Sequence, residues 1–259
     1  MLKKRYWLLI TLLLITVLSV RAFPATWVFY FVQQAAPGLQ VSGVSGSLWR
    51  GQADISQWVN RGHTLPLGQL QWQLRGLSVL TLNPCLTFSA LAQNQSIKGE
   101  ACYGLFSGAA EAKELDFNIP AERIGPFYSV NLQGVFEGYI PQLQWQGQGL
   151  GEADGSVLWQ QAAFHSGYQW VALGDIQATG EDDGTGGLLS QINSVNDNTN
   201  TPPVTINIEA AVSQLTAPQP RLRVNGTMFP DAQANGLRQI LQLVGEPITG
   251  GGYRIEINE

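Results

Sequence analysis

Few residues in this sequence are of the types that do chemistry, and their spacing predicts no reaction. The 259 residues include two histidines, His63 and His165, and two cysteines, Cys85 and Cys102. Neither histidine has a ligand partner at the spacing that a zinc site or an H-E-x-x-H motif requires. Ser45 lies in "GVSGS", where a glycine follows the serine directly, whereas a nucleophile elbow has the pattern G-x-S-x-G. We therefore predict no catalytic, cofactor-binding or metal-binding residue, and a hydrolase would need a pocket that converges on one of the histidines.

Two groups of acidic residues have the spacing for other sites. Glu152 and Asp154 alternate along the chain, so in a strand they would face the same side as a pair of carboxylates. Glu181, Asp182 and Asp183 are consecutive and would offer oxygen ligands to Ca²⁺, but the glutamate that completes a helix-loop-helix calcium loop is missing. Acids beside glycines are typical of solvated turns, and we adopt that interpretation for both groups.

The two cysteines favour a structural role. They flank "LTFSALAQNQSIKGEA", whose central "QNQ" would turn a hairpin and bring Cys85 opposite Cys102. In an oxidising compartment the pair would form a disulfide, and closing a loop of about 16 residues would stabilise the fold by roughly 3 kcal/mol. Two unpaired buried thiols are the alternative.

The elements that position these residues are mostly strands. Apolar and polar residues alternate in several segments, as in Leu70, Trp72 and Leu74 between glutamines, and this period of two is typical of strands with one buried face. Parallel sheets covered by helices give continuous apolar runs, so the alternation predicts antiparallel strands with one face open to water. The other alternating segments are 115–119, 204–209, 221–224 and 253–257.

Two segments interrupt the strand pattern near the C-terminus. Residues 231–244 place Leu237, Ile240, Leu241 and Val244 at helical spacing, which predicts an amphipathic helix that Gly245 ends. Residues 178–203 are rich in glycine, asparagine, aspartate and threonine, and this composition predicts a mobile loop.

The N-terminus predicts a membrane anchor. Lys3, Lys4 and Arg5 precede residues 6–20, which carry no charge. About 15 residues at roughly 1.5 Å each cover about 22 Å of a hydrocarbon core about 30 Å thick, and flanking basic side chains can reach the interfaces. The positive-inside rule places the three basic residues in the cytoplasm. A cleaved signal peptide is the competing interpretation, although no clean A-x-A site follows.

These segments and the net charge predict the domain organisation and the fold class. We predict an anchor over residues 1–24 and a β-rich periplasmic domain over 25–259. The net charge is −5, and the four basic residues among the first 21 leave a more acidic remainder, which argues against nucleic acid binding. The predicted fold is mainly β: an N-terminal transmembrane helix, then a twisted, mostly antiparallel β-sheet with a C-terminal amphipathic helix.

A glycine-rich box lies just after the predicted anchor, in "VSGVSGSLWRG" at residues 41–51. Gly43 and Gly46 would permit backbone conformations that other residues avoid, Leu48 and Trp49 would fill a core, and Gly51 would allow a bend. We interpret these residues as the structural start of the sheet and not as a cradle for a ligand.

The sequence resembles the type II secretion system protein N family, also called general secretion pathway protein N. The resemblance rests on the basic start, the single apolar segment, "FPATW", "VSGSLWRGQA" and "LGQLQWQL". It continues in "LRVNGTMFP", "GLRQILQLVGEP" and "GGGYRIEI", and so spans nearly the whole chain. The G-x-L-W-x-G box after an anchor also resembles AsmA-like envelope proteins.

The family resemblance implies an accessory, non-enzymatic component of the type II secretion machinery, which exports folded proteins from the periplasm across the outer membrane. It implies a single-pass protein of the bacterial inner membrane with a cytoplasmic N-terminus. We expect protein-protein binding through a strand edge or the polar sheet face, with other secretion components and inner-membrane lipid as partners, and no small-molecule substrate. The AsmA-like resemblance implies an alternative, a β groove that holds or transfers lipid.

Overall fold

A computed structural model describes residues 2–35, 37–60, 62–147, 149–195, 202–213, 215, 220–231 and 234–258. The order of elements is two helices, a long run of strands with short helical connections, one further helix and two short final strands. The helices are α1 (Leu2–Arg21), α2 (Ala25–Ala35), α3 (Gly76–Leu80), α4 (Ala121–Ile124) and α5 (Asn235–Val244).

The strands of the first half are β1 (Leu39–Gly46), β2 (Arg50–Asn60), β3 (His63–Leu74), β4 (Cys85–Ala92), β5 (Gln95–Tyr103), β6 (Ala110–Pro120) and β7 (Leu132–Gln146). Those of the second half are β8 (Gly149–His165), β9 (Trp170–Asp182), β10 (Leu188–Ser194), β11 (Val204–Ser213), β12 (Arg221–Pro230), β13 (Glu246–Pro247) and β14 (Tyr253–Asn258).

The fourteen strands of the described residues form one antiparallel sheet, as the alternating sequence pattern predicts. The spatial order follows the chain from β1 to β12 and then continues with β14 and β13. Most connections are short, because antiparallel neighbours need only a hairpin turn between them. Successive turns therefore lie alternately at two opposite rims of the sheet.

The sheet has one apolar and one polar face, because residues paired across antiparallel strands share a face while chain neighbours point to opposite faces. A row of successive partners on the apolar face consists of Leu74, Leu86, Ala101, Ala112, Leu143 and Ala153. The adjacent row on the polar face consists of Arg50, Gln73, Thr87, Glu100, Lys113, Gln142, Asp154 and Glu181. Gln73 and Leu74, on opposite faces, belong to one of the alternating segments that the sequence predicts as strands.

Helix α5 covers the apolar face at the C-terminal end of the sheet. Leu237 and Leu241 lie four residues apart, so they project from one side of the helix, and both are buried. They belong to a cluster with Val204, Ile206 and Ile255 of the strands below. The predicted amphipathic helix is thus confirmed over Asn235–Val244, and Gly245 donates its N–H to the Leu241 carbonyl where the helix ends.

Helix α2 covers the apolar face at the other end. The Phe29 ring meets the Trp72 ring of β3 edge to face, with centroids 4.9 Å apart. The Trp72 ring in turn lies against the backbone of Gly51 in β2, where any Cβ atom would collide with it. Gly51 is therefore required by the close approach of an aromatic ring.

The prediction of an N-terminal transmembrane helix is wrong. Helix α1 does form over Leu2–Arg21, but no helix within the described ranges combines the length and apolar character needed to cross a membrane. The physical reason is the distribution of charge: Lys3, Lys4 and Arg5 begin the helix and Arg21 ends it, which leaves too short an uncharged run.

The prediction of a loop over residues 178–203 is wrong at residues 178–182 and 188–194, which are strands. Residues 178–182 complete β9, and residues 188–194 form β10, which pairs with both β9 and β11. The strand signal is weak because small residues, Ala178, Gly180 and Ser190, occupy apolar-face positions. Residues 196–201 lie outside the described part of the chain.

Candidate interaction surfaces

The glycine-rich box forms β1, the β1–β2 turn and the start of β2. Gly43 and Gly46 have φ of +68° and +91°, a left-handed region that glycine adopts without strain. The Leu48 N–H donates to the Phe23 carbonyl at 2.9 Å, and the Leu74 N–H donates to the Trp49 carbonyl at 2.8 Å. The turn therefore ties the segment between α1 and α2 to the end of β3.

Strand β1 is an edge strand of the sheet. It pairs with β2 and, over the residues that the structure describes, no other strand pairs with β1 itself. An isolated bridge joins Pro24 to Ser47 just beyond its C-terminal end, and α2 contacts the strand. Its sequence, LQVSGVSG, contains no charged residue.

The opposite edge of the sheet is different in character. Strand β13 is two residues long and ends at Pro247, which has no N–H to donate to a further strand. Strand β14 carries the exposed charged residues Arg254 and Glu256. Short strands, prolines and charges are the devices by which natural sheets discourage pairing at an edge.

The polar face contains a cavity of about 570 Å³ over strands β8 to β12. Asp154 and Glu181, which are direct partners across β8 and β9, line it together with Glu209 and Arg223. Glu152 also lies in β8, where its carboxylate accepts a hydrogen bond from the Gln142 amide at 2.9 Å. This surface can accept polar and cationic groups, and Glu152 and Asp154 lie in a strand, not in the turn that we expected.

The predicted disulfide is present. Cys85 and Cys102 are direct partners across β4 and β5, and their sulfur atoms are 2.07 Å apart. Glu100 lies beside them, with only 11% of its side chain exposed, and pairs with Arg75 at 2.7 Å. In the described residues Cys85, Glu100 and Cys102 are the one group of possible metal ligands close together, but both sulfurs are consumed by the disulfide.

The structure places the two histidines in separate elements. His63 begins β3 and packs its ring against Phe127, with centroids 5.8 Å apart. His165 ends β8, five strands away in the sheet, where its Nδ1 accepts a hydrogen bond from the Gly167 N–H at 3.1 Å. The predicted topology signal, Lys3, Lys4 and Arg5, lies in α1, and the structure describes only the backbone of these three residues.

The three consecutive acids lie at the β9–β10 turn. Glu181 and Asp182 belong to β9, and Asp183 follows it. The N–H groups of Gly187 and Thr185 donate to one Asp183 carboxylate oxygen at 2.8 and 2.7 Å, and these bonds hold the pKa of Asp183 below its usual value because they favour the charged form. The carboxylate thus closes a turn.

A cluster of exposed apolar side chains at one rim of the sheet was not predicted. It consists of Leu77, Leu80, Leu82, Leu105 and Phe106, here called the apolar rim. The first three lie in the β3–β4 connection and the last two in the β5–β6 connection. A signal existed in the sequence, since residues 76–97 and 101–110 contain no charged residue although both include turn-forming glycine, serine or proline.

Residues 37–256 match the family model described as type II secretion system (T2SS), protein N. A curated protein of Aeromonas hydrophila named type II secretion system protein N is 32% identical over 98 residues, which are 38% of this chain and 36% of the relative. A protein of the same name from Vibrio cholerae serotype O1 is 26% identical over 145 residues, which are 54% of this chain and 56% of the relative. The chain thus spans about a third and about half of these two proteins. No solved structure matches.

Proposed function

Because the chain belongs to the type II secretion system protein N family, we propose that it is an accessory component of this machinery at the bacterial inner membrane. Its sheet lies on the periplasmic side, and it assists the export of folded proteins across the outer membrane. It acts by binding other secretion components and not by catalysis. The Cys85–Cys102 disulfide supports the compartment, because disulfides form and persist mainly in oxidising environments.

The open edge of β1 is the observation that carries the binding proposal. An unpaired strand edge presents a row of N–H and C=O groups that an extended segment of a partner can bond. The edge is uncharged, whereas the opposite edge ends in a proline and bears charges. A partner strand therefore adds at β1, and the polar face beside it supplies further hydrogen bonds.

Substitution of the edge tests this proposal. We expect Ser42→Lys with Ser45→Lys to reduce export and to leave secreted proteins folded in the periplasm, because charges on an edge strand oppose pairing. The matched control is Thr205→Lys with Asn207→Lys, which places the same two charges at exposed positions of β11. Normal export by the edge variant, or equal loss in both variants, would contradict binding at β1.

Crosslinking identifies the partner. A photoreactive side chain at Gln40 in β1 should give a discrete product with another secretion component in cells. The same group at Glu256 in β14 should give much less, because the C-terminal edge is protected by charge and by Pro247. Equal products from both positions would remove the distinction between the edges.

Lipid carriage is a second candidate, favoured by one observation. Most large side chains on the apolar face keep part of their surface exposed, and Val204 and Ser56 are the largest side chains with less than 2% exposure in the described residues. An apolar face whose large side chains are only partly buried could hold acyl chains. Mass spectrometry of gently purified protein distinguishes the candidates, because co-purifying phospholipid at a fixed ratio supports a carrier and its absence supports the binding component.

A further inference from the structure

The apolar rim exposes its side chains far more than an ordinary loop does. Leu77 is 80% exposed, Leu80 is 79% exposed and Phe106 is 87% exposed. Leu77 and Leu80 are three residues apart in α3, so they project from the same side of that turn. Contiguous exposed apolar patches on soluble surfaces usually mark a contact with a protein or a membrane.

The two connections that form the apolar rim are held together rigidly. The Leu105 N–H donates to the Leu82 carbonyl and the Tyr103 N–H to the Pro84 carbonyl, each at 3.0 Å. The Cys85–Cys102 disulfide links the strands directly beneath, and the Ser78 hydroxyl accepts the Cys85 N–H at 2.8 Å. The exposed side chains are therefore presented by an ordered scaffold, so little conformational entropy is lost when they bind.

We propose that the apolar rim inserts into the surface of a lipid bilayer. The rim is aliphatic with one aromatic ring, and residues 76–84 and 104–109 carry no charge that would have to be dehydrated. Arg75, which precedes α3, is paired with Glu100 at 2.7 Å. Its five side chains protrude from two connections, with between 42% and 87% of each residue exposed. Fluid acyl chains accommodate such a shape without a complementary cavity, whereas a protein partner would need a pocket for each side chain.

The exposed apolar surface of α1 lies next to the apolar rim and also favours contact with a lipid bilayer. The α1 residues Trp7, Ile10, Leu14, Ile15 and Leu18 are all more than half exposed. The end of α1 reaches the apolar rim through a chain of backbone contacts. Pro24 bridges Ser47, Leu48 bonds Phe23, and Trp49 bonds Leu74, the last residue of β3, which only Arg75 separates from α3. Two exposed apolar surfaces thus meet at one rim of the sheet.

The opposite rim provides an internal control. Its β8–β9 connection includes Tyr168, which is 97% exposed but carries a polar hydroxyl. Arg123 and both histidines lie toward the same rim, in α4, β3 and β8. Charged and polar groups there favour water, so only one rim should enter lipid. The inference does not depend on the partner proposed for β1.

The test uses the full chain with one added cysteine at Leu77→Cys, Phe106→Cys or, as the matched control, Tyr168→Cys. The native cysteines stay bonded under non-reducing conditions, so an environment-sensitive fluorophore labels only the new thiol, and one labelled thiol per chain verifies that the native pair is intact. The labelled proteins are bound to vesicles of zwitterionic phosphatidylcholine with and without lipids that carry a quencher near the headgroup.

We expect blue-shifted and quenched emission from positions 77 and 106 on vesicle-bound protein and water-like emission from position 168. The signal should change little with salt, because the five side chains of the apolar rim are uncharged and the adjacent Arg75 is paired with Glu100. In an unlabelled chain, Leu77→Ser with Phe106→Ser should weaken vesicle binding by about tenfold or more, since two large apolar groups no longer leave water.

Three outcomes would overturn the inference. The first is water-like emission at 77 and 106 on vesicle-bound protein. The second is equal immersion of position 168, which would remove the difference between the rims. The third is a shift at 77 and 106 that requires another secretion protein and no lipid, which would assign the rim to a protein contact.

Discussion

The two halves of the sheet bury different kinds of side chain. In β8 to β14 the buried residues are mostly large and aliphatic, such as Leu173, Val204 and Leu241, and α5 covers them. In β1 to β7 the buried residues are mainly alanines, the disulfide and three polar side chains, Ser56, Gln95 and Glu100. A single sheet buries large side chains only where another element covers it. The stability of the first half therefore depends on the disulfide and on the hydrogen bonds of its buried polar side chains.

The largest expected effect is in the second half. Leu241→Ala should lower the free energy of unfolding by about 2–5 kcal/mol, because it leaves a cavity beneath α5. Urea unfolding followed by circular dichroism measures the change. Leu243→Ala in the same helix is the control, since Leu243 is exposed and its truncation should change stability by about 0.5 kcal/mol or less. Equal effects of both variants would show that the cluster under α5 does not stabilise this half.

Removal of the disulfide is the corresponding test of the first half. Cys85→Ala with Cys102→Ala should lower the free energy of unfolding by about 3 kcal/mol, because the unfolded chain regains the entropy of an open loop. Reduction of the unaltered protein should give a similar loss in the same assay. An unchanged urea midpoint in both experiments would mean that the buried hydrogen bonds stabilise the first half without the disulfide.

Loss of the hydrogen bonds that Arg123 donates has a smaller expected effect. Arg123 in α4 donates to the Gln95 amide oxygen at 2.9 Å and to the Gln93 carbonyl at 2.7 Å, while the Gln95 amide donates to the Pro66 carbonyl. Arg123→Ala leaves the buried Gln95 oxygen without this donor, which should cost about 1–3 kcal/mol. The exposed Arg254→Ala is the control for loss of a positive charge, and a loss equal to the control would exclude a specific role for Arg123.

The smallest expected effect concerns pH and a turn in the second half. The pKa of Asp183 is lowered in the folded state by the N–H groups of Gly187 and Thr185. The contribution to stability is therefore present above the pKa of the unfolded chain and is lost as the pH falls through the lower, folded value. Asp183→Asn should lower the melting temperature at neutral pH, and the difference should disappear in acid. Glu256→Gln controls for loss of one exposed charge, and a difference that persists in acid would contradict this origin.

The sequence predicts most of the sheet because one physical signal, the alternation of apolar and polar residues, repeats along it. Leu70, Trp72 and Leu74 are examples, and their partners in β4 share the apolar face. The disulfide was also predictable, because a hairpin turn between Cys85 and Cys102 places them opposite each other. Family membership could be recognised from motifs at both ends of the chain.

Other features leave a weaker trace in the sequence. Strand β10 resembles a loop because glycine, alanine and serine occupy several apolar-face positions around it. The membrane anchor was predicted from an apolar run, but the charges at both ends of α1 limit its length. The apolar rim depends on contacts between residues more than twenty positions apart, such as Leu82 and Leu105, and no local pattern shows that their side chains remain exposed.

The chain-ordered arrangement of β1 to β12 has a consequence for how the protein assembles. Each strand finds its partner in the segment just before it, so only short loops are closed at each step and the contact order is low. A polypeptide that emerges with its N-terminus first can add one hairpin at a time to a growing template. An interruption of synthesis after any hairpin leaves a shorter ladder with a new terminal strand.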